Sequence, residues 1–388
     1  MNRRERHRRR RRKNILIVLC TVFILFVTTS WIVVEFKSRD QQAVSKEKPV
    51  QKKETPKPSK PAKPKPVKEE PTETIVNNQE IDDYLQQIGF SGSVLVVRDG
   101  KTIVQKAYLD ANRETNKPNT PDTLYYIGSS QKAIIATAIL QLEEQGKIST
   151  EDPISKYLPN FPNGNNIYIK NFLNHTSGIV GHTETGGKIT PKELIEDIEN
   201  QGIKAQPGKW YYLDSNYTVL AYLVEILSGE PLQSYLGEHI FKPARMEHTG
   251  FNQKTVDGGK NESIGYYIKK DGTYKTPSLI DLSQLYGCGD ICMTAKDLYL
   301  FDKALMGGKL ISERSLKKMF TPGSKSGYGM GFYVDPGSYN SHGVLSGWNV
   351  SNSMSHTGRT YVVLLSNIQN NISSFGKVNN HIYELLNK

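Results

Sequence analysis

The chain has 388 residues, 37% of them hydrophobic, with 50 Lys and Arg, 39 Asp and Glu, and three Cys. That length allows two or three domains or one large one. A mean hydropathy of −0.51 excludes a polytopic membrane protein, and three Cys without a Cys/His cluster of ligand spacing exclude a disulfide scaffold and a zinc module.

The net charge of +11 is concentrated at one end. Residues 1–13 carry nine Lys/Arg and one Glu, and residues 35–70 carry eleven and six. What remains is close to neutral, which argues against a nucleic-acid-binding domain. Ile15 to Val34 is an uncharged apolar run of 20 residues, long enough as a helix to cross the ~30 Å core of a bilayer. It lacks a good small-residue cleavage site, so it reads as a retained anchor. Arg8 to Lys13 precedes it, which predicts a cytoplasmic N-terminus and an extracellular remainder. Repeated Lys-Pro pairs from Lys57 to Pro66 predict an extended spacer. The predicted organisation is a basic tail (1–13), a transmembrane helix (14–34), a Lys/Pro-rich linker (35–78) and a globular domain (79–388).

In the globular part, Ser93–Arg98 and Lys101–Lys106 flank Asp99-Gly100 and predict a β-hairpin. Gln131 to Gln145 is apolar on most sides and stops at Gly146, the pattern of a buried helix. Helices are also expected over Pro191–Asn200, with Thr190 as N-cap, and over Tyr217–Leu227, ending at Gly229. Tyr328–Val334 and Tyr361–Leu365 read as strands, and a closing helix runs from about Ser374 to Leu386. Hairpins at both ends with helices between predict an α+β fold: an antiparallel sheet built from both termini, flanked by helices, with a helical subdomain.

Ser129-Ser130-Gln131-Lys132 is a Ser-x-x-Lys motif. One helical turn sets a Lys amine beside a Ser hydroxyl, where a neutral amine can take its proton. Backbone N–H groups at the helix start can hold an oxyanion. The spacing recurs at Ser45/Lys48, Ser315/Lys318 and Ser374/Lys377. Only the first copy follows a turn-permitting glycine, Gly128, and opens an apolar helix; the second lies in the linker and the others begin polar helices.

Phe90-Ser-Gly-Ser-Val-Leu95, Asn119-Thr-Pro-Asp-Thr123, Ile127-Gly-Ser129, Asp152-Pro-Ile-Ser-Lys-Tyr-Leu158, His175-Thr-Ser-Gly178 and Leu364-Leu-Ser-Asn367 occur in that order. This set resembles the serine β-lactamase and penicillin-binding-protein superfamily, in its class C-like branch. The resemblance implies a β-lactamase/transpeptidase-like fold over about residues 85–388, and acyl transfer through Ser129 with Lys132 as proton acceptor. It implies no metal or organic cofactor. Its second motif, Tyr-x-Asn, reads here Tyr212-Leu213-Asp214, so Tyr212 would be the second proton shuttle. Asp214 replaces an amide that donates a hydrogen bond by a carboxylate that cannot. That change disfavours a substrate carboxylate and favours a charged Lys132. Ser-x-x-Lys with Tyr-x-Asp resembles the subgroup that removes D-alanyl esters from teichoic acids, whose substrates carry ammonium groups. A D,D-carboxypeptidase acting on peptidoglycan, and a catalytically silent wall-binding module, are the alternatives.

For the third motif two segments compete. Ser341-His342-Gly343 is followed by Gly347-Trp348 and is preferred; His356-Thr357-Gly358 falls where a hairpin turn is expected. The first would place the Val344 N–H as second oxyanion donor, with His342 either a catalytic helper or a strand-face residue. His175 reads as a structural turn residue away from the nucleophile. Cys288 and Cys292 read as buried thiols, with a disulfide as the alternative. The expected partners are a D-alanine-bearing envelope polymer and, through the N-terminal helix, the membrane.

Overall fold

The computed structural model describes residues 71–388. The apolar run at Ile15–Val34 and most of the Lys/Pro linker lie outside the described residues. Among the described residues no helix is long and apolar enough to cross a membrane.

The hairpin forms as expected: β2 (Gly92–Arg98) and β3 (Lys101–Tyr108) are joined by Asp99 and Gly100, both at positive φ. That is the geometry matching the right-handed twist of paired strands. A seven-stranded antiparallel sheet grows around it, in the order β1 (Ile75–Val76), β3, β2, β7 (Thr360–Ser366), β6 (Trp348–Ser355), β5 (Ser338–Leu345), β4 (Tyr333–Asp335). The two termini meet where β7 pairs with β2, from Thr360 opposite Arg98 to Ser366 opposite Gly92.

Both faces of this centre are covered, which explains its unbroken apolar runs. Val94, Val96, Val362 and Leu364 face α1 (Gln79–Gln87) and the closing helix α6 (Phe375–Leu386), which contribute Ile81, Leu85, Val378 and Ile382. Leu95, Val97, Val363 and Leu365 face the other way, into the main core. There α2 (Gln131–Glu144) packs on α4 (Ser215–Ser228), and α5 (Ala295–Met306) packs on β2 and β7. α2 buries every residue from Gln131 to Leu140, Lys132 included. α3 (Pro191–Gln201) opens with a full capping box between Thr190 and Glu193, and α4 ends on Gly229 in the left-handed conformation.

Two expectations needed correction, and one helix was missed. The strand read over Tyr328–Val334 shrinks to Tyr333–Asp335. Gly331, at φ +87°, lies so close to α2 that a Cβ would sit 2.5 Å from the Ala133 Cα, and this crossing breaks the strand. α5 went unread. The helix around Ser315 runs from Glu313 to Met319 with Ser312 as its cap, and Ser315 itself is buried. Beneath the sheet, α5 also buries Asp302 completely against Asn352, whose Nδ2 donates to it at 3.1 Å. Burial pushes this carboxyl up to about 8, so at neutral pH it is held largely as the uncharged acid.

Candidate active site

The chain leaves the short strand Tyr125–Tyr126, turns at Gly128 with φ +51°, and enters α2 through one 3-10 turn, Gly128–Ser130. Ser129 is the one residue between Thr123 and Leu140 that is not buried. Its Oγ lies 2.9 Å from Lys132 Nζ. The helical spacing therefore delivers the contact expected of it.

Lys132 is fully buried, and three oxygens surround its amine. Besides Ser129 Oγ these are Asp214 Oδ1 at 2.7 Å and the Cys288 carbonyl at 3.3 Å. Burial alone would lower the Lys132 pKa, but the Asp214 charge outweighs it and carries the group well above its ordinary value. The resting Lys132 is thus an ammonium that donates to Ser129 Oγ, the charge state that a carboxylate at position 214 was expected to favour. Asp214 keeps Oδ1 buried while its side chain is 48% exposed. It joins a buried cation to the solvent side.

Tyr212 lies beside this group, with Lys132 Nζ 5.1 Å from its ring centroid. His175 stacks on the other ring face at 4.2 Å, which corrects its placement away from the nucleophile. It is buried, and its Nδ1 accepts from the Leu213 N–H at 3.2 Å. Burial, reinforced by the Lys132 charge, holds its pKa well below the ordinary value, so it is a neutral brace for Tyr212. Asn216, one turn further on, is bonded to Ser177, His175 and the Leu213 carbonyl.

Of the two competing third segments, β5 brings Ser341–Val344 to the nucleophile. A Cβ on Gly128 would come within 2.9 Å of the Val344 nitrogen, and one on Gly343 would strike the Ile127 carbonyl and reach 3.0 Å from the Ser129 nitrogen. The backbone N–H groups of Ser129 and Val344 are therefore neighbours on either side of a glycine-to-glycine contact. His356-Thr357-Gly358 makes the turn between β6 and β7, at the far end of β6 from Trp348. His342 is exposed on β5 and bonds to Asn349 Oδ1 at 2.8 Å through Nε2.

A pocket of about 230 Å³ is lined by Ser129, Tyr212, Ser341, His342 and Val344. Tyr328, Gly331 and Tyr333 complete it, and sequence reasoning missed their role. The loop holding the Cys288 carbonyl was missed too. Gln131 Nε2 donates to Asp290 Oδ1 at 2.6 Å, and the Ile291 N–H donates to Gln131 Oε1 at 3.1 Å. This clip ties residues 287–291 to the start of α2. Burial raises the Asp290 carboxyl to about 6. Cys288 and Cys292 are free, buried thiols. Burial pushes Cys292 up to about 12, so neither serves as a nucleophile at neutral pH.

Charge-assisted Ser and Lys, a Tyr hydroxyl and two backbone donors around one pocket are suited to acyl transfer. The family model described as Beta-lactamase matches residues 78–386. The chain is 57% identical over 320 residues to PbpX of Bacillus subtilis (strain 168), named as a candidate penicillin-binding protein, covering 82% of this chain and 81% of the relative. It is 32% identical over 273 residues to the teichoic acid D-alanine hydrolase of Staphylococcus aureus, covering 66% of each. The crystal structure of FmtA from Staphylococcus aureus superimposes with a TM-score of 0.74 at 28% identity, covering 82% of this chain and 93% of the other.

Proposed function

The chain belongs to the beta-lactamase family of serine hydrolases, and on that premise we propose that it removes D-alanyl esters from a teichoic-acid-type polymer at the cell surface. The observation that carries this reading is the 2.7 Å ion pair between Lys132 and the half-exposed Asp214 beside Ser129. A carboxylate at this place attracts the ammonium of a D-alanyl group and repels the terminal carboxylate of a peptide substrate. An ammonium drawn to Asp214 weakens its hold on Lys132, whose extra proton then leaves to solvent by way of the half-exposed Asp214 carboxylate, and the neutral amine left behind can accept a proton from Ser129.

In this mechanism Ser129 Oγ attacks the ester carbonyl as its proton passes to Lys132. The Ser129 and Val344 N–H groups hold the oxyanion. The bond to the polymer oxygen breaks, and that oxygen takes a proton from Tyr212, which in turn recovers one from Lys132. Water then cleaves the D-alanyl-Ser129 ester and releases D-alanine. Tethering through the apolar run at Ile15–Val34, with the catalytic part outside, belongs to the same proposal.

A second reading, D,D-carboxypeptidase activity on peptidoglycan stem peptides, draws support from the 57% identity to a candidate penicillin-binding protein. One experiment separates the two. The full chain and its Ser129→Ala variant are incubated with D-alanylated lipoteichoic acid or with a stem pentapeptide, and released D-alanine is counted. Release from the teichoic acid alone, abolished at least a thousandfold by Ser129→Ala, is expected. Release from the pentapeptide alone would replace the esterase reading by the second, and release from neither would remove both. In fractionated cells, the same preparation should sediment with membranes only when residues 1–34 are present.

A further inference from the structure

A small hairpin stands beside the pocket, and acyl transfer makes no use of it. Tyr267–Ile268 pairs antiparallel with Tyr274–Lys275, with Tyr267 opposite Lys275 and Ile268 opposite Tyr274. At its tip the Lys269 N–H donates to the Thr273 carbonyl at 2.9 Å, and Gly272 takes φ +81°.

The root of the hairpin is fixed to the rim of the Ser129 pocket. A Cβ on Gly265 would lie 2.7 Å from the Ser346 carbonyl oxygen and 2.8 Å from the Trp348 ring. The Tyr266 N–H donates to the Asn367 carbonyl at 2.8 Å. Asn370 holds Ile268 twice, its Oδ1 accepting from the N–H at 2.8 Å and its Nδ2 donating to the carbonyl at 2.9 Å. Ser346 opens the turn after β5, two residues beyond Val344, which lines the pocket.

Alternation gives the hairpin two faces. Tyr266, Ile268 and Tyr274 share the inner one, where Tyr274 meets Tyr266 edge-on at 6.2 Å and Arg113 stacks on it at 3.8 Å. Tyr267, Lys269 and Lys275 share the outer one and are exposed, as is Lys270 at the tip. Among the described residues none of these three lysines forms an ion pair. The neighbouring carboxylates are engaged by other groups. Asp271 accepts from the Thr273 N–H at 2.9 Å and from its hydroxyl at 2.6 Å, and Glu114 accepts from the Tyr266 hydroxyl. Residues 71–388 hold 30 Lys and Arg against 32 Asp and Glu. The hairpin is therefore a positive patch on a domain of slightly negative net charge, and such a patch draws a polyanion toward it.

We propose that this outer face is a docking surface for the phosphodiester backbone of the polymer whose D-alanyl ester reaches Ser129. Lys269, Lys270 and Lys275 pair with phosphates along the chain, and Tyr267 packs its ring on the alditol or sugar between them. Ammonium groups on flexible stems suit phosphates that repeat without a fixed geometry. The anchored root then holds the bound chain beside the pocket. The inference deepens the esterase reading and takes the identity of the polymer from it.

The test uses the full chain. Lys269→Gln, Lys270→Gln and Lys275→Gln are combined in one variant. Lys101→Gln, Lys147→Gln and Lys377→Gln, all at exposed positions, are combined in a control that loses the same charge. Tyr267→Ser is made alone. The probe is D-alanine-free teichoic acid, and binding is measured calorimetrically at low and at high salt. The native chain should bind, and more weakly at high salt. The hairpin variant should bind tenfold or more weakly than the control, with an unchanged melting temperature, and Tyr267→Ser should lose severalfold. The basic tail and linker are common to every protein compared, so a difference between the two triple variants belongs to the hairpin. Equal affinity of these two variants, or no binding by the native chain, would overturn the proposal, and native affinity in Tyr267→Ser would strike the ring from it. The probe carries no ester. If the native chain releases no D-alanine while the hairpin variant still shows its loss of binding, the esterase reading falls and the docking surface stands.

Discussion

At Asp214 a carboxylate occupies the position from which an amide would donate, and it changes the charge of Lys132 3 residues along from Ser129. Asp214→Asn removes the counter-ion and leaves Lys132 in a fully buried site. Desolvation then acts unopposed and drives the lysine toward the neutral amine. Acylation that needs a neutral Lys132 rises with pH in the native chain up to and beyond the ordinary lysine range. In the variant that limb should move to lower pH by a unit or more. D-alanine release from teichoic acid should fall at least tenfold, while reactivity toward a penicillin rises. A pH–rate profile for each protein checks both shifts, and identical profiles with unchanged activity on both substrates would remove Asp214 from the mechanism. His175 teaches a related lesson. Its sequence context suggested a turn, and its positive φ agrees, but its ring also stacks under Tyr212.

At the scale of elements, the site depends on how closely β5 approaches the turn before α2. Gly128 and Gly343 are the two points where a side chain is forbidden, for the reciprocal reasons that Val344 and Ile127 lie against them. Gly343→Ala must push β5 away from Ser129. Overpacking of this kind costs about 1–3 kcal/mol, and it separates the two N–H groups proposed to hold the oxyanion. Acylation of Ser129, followed by fluorophosphonate labelling, should slow a hundredfold or more while the melting temperature drops by only a few degrees. Native labelling rates in Gly343→Ala would show that the approach of β5 is immaterial. The element order was largely legible because α2, α4, β2 and β7 are buried all round or on both faces and so carry strong apolar runs. β5 and β6 were harder to read. Asn349, Ser351, Asn352 and Ser353 are buried polar residues within β6, and their pattern resembles a loop.

For the whole molecule, stability should carry the signature of Asp302. Its carboxyl titrates at about 8 when folded and near 3.9 when unfolded. Between those values the folded protein holds a proton that the unfolded chain has lost, so stability falls as pH rises. The slope from this group is at most about 1.4 kcal/mol per pH unit. It is absent below the lower value and levels off above the upper. Asp302→Asn keeps the shape and the pairing with Asn352 without titrating. Thermal melts should show the variant gaining on the native chain from pH 4 to pH 8, by several degrees at the upper end. Parallel curves would mean that Asp302 is ionised in the fold.

By itself the sequence determined the antiparallel sheet joined from both termini, the buried helix behind the nucleophile, and the Ser129–Lys132 contact. Each rests on a short-range period: alternation in strands, 3.6 residues per turn in helices, one turn between Ser and Lys. It also proposed the N-terminal anchor, which lies outside the described residues. Only the tertiary structure decided which of two similar segments approaches Ser129, which charge Lys132 carries, and that Tyr328 and Tyr333 close the pocket. It likewise set a second cavity beside that pocket, with Ser341 and His342 common to both. Those outcomes depend on groups more than 200 residues apart in the chain and on burial, and no local period in the sequence encodes either.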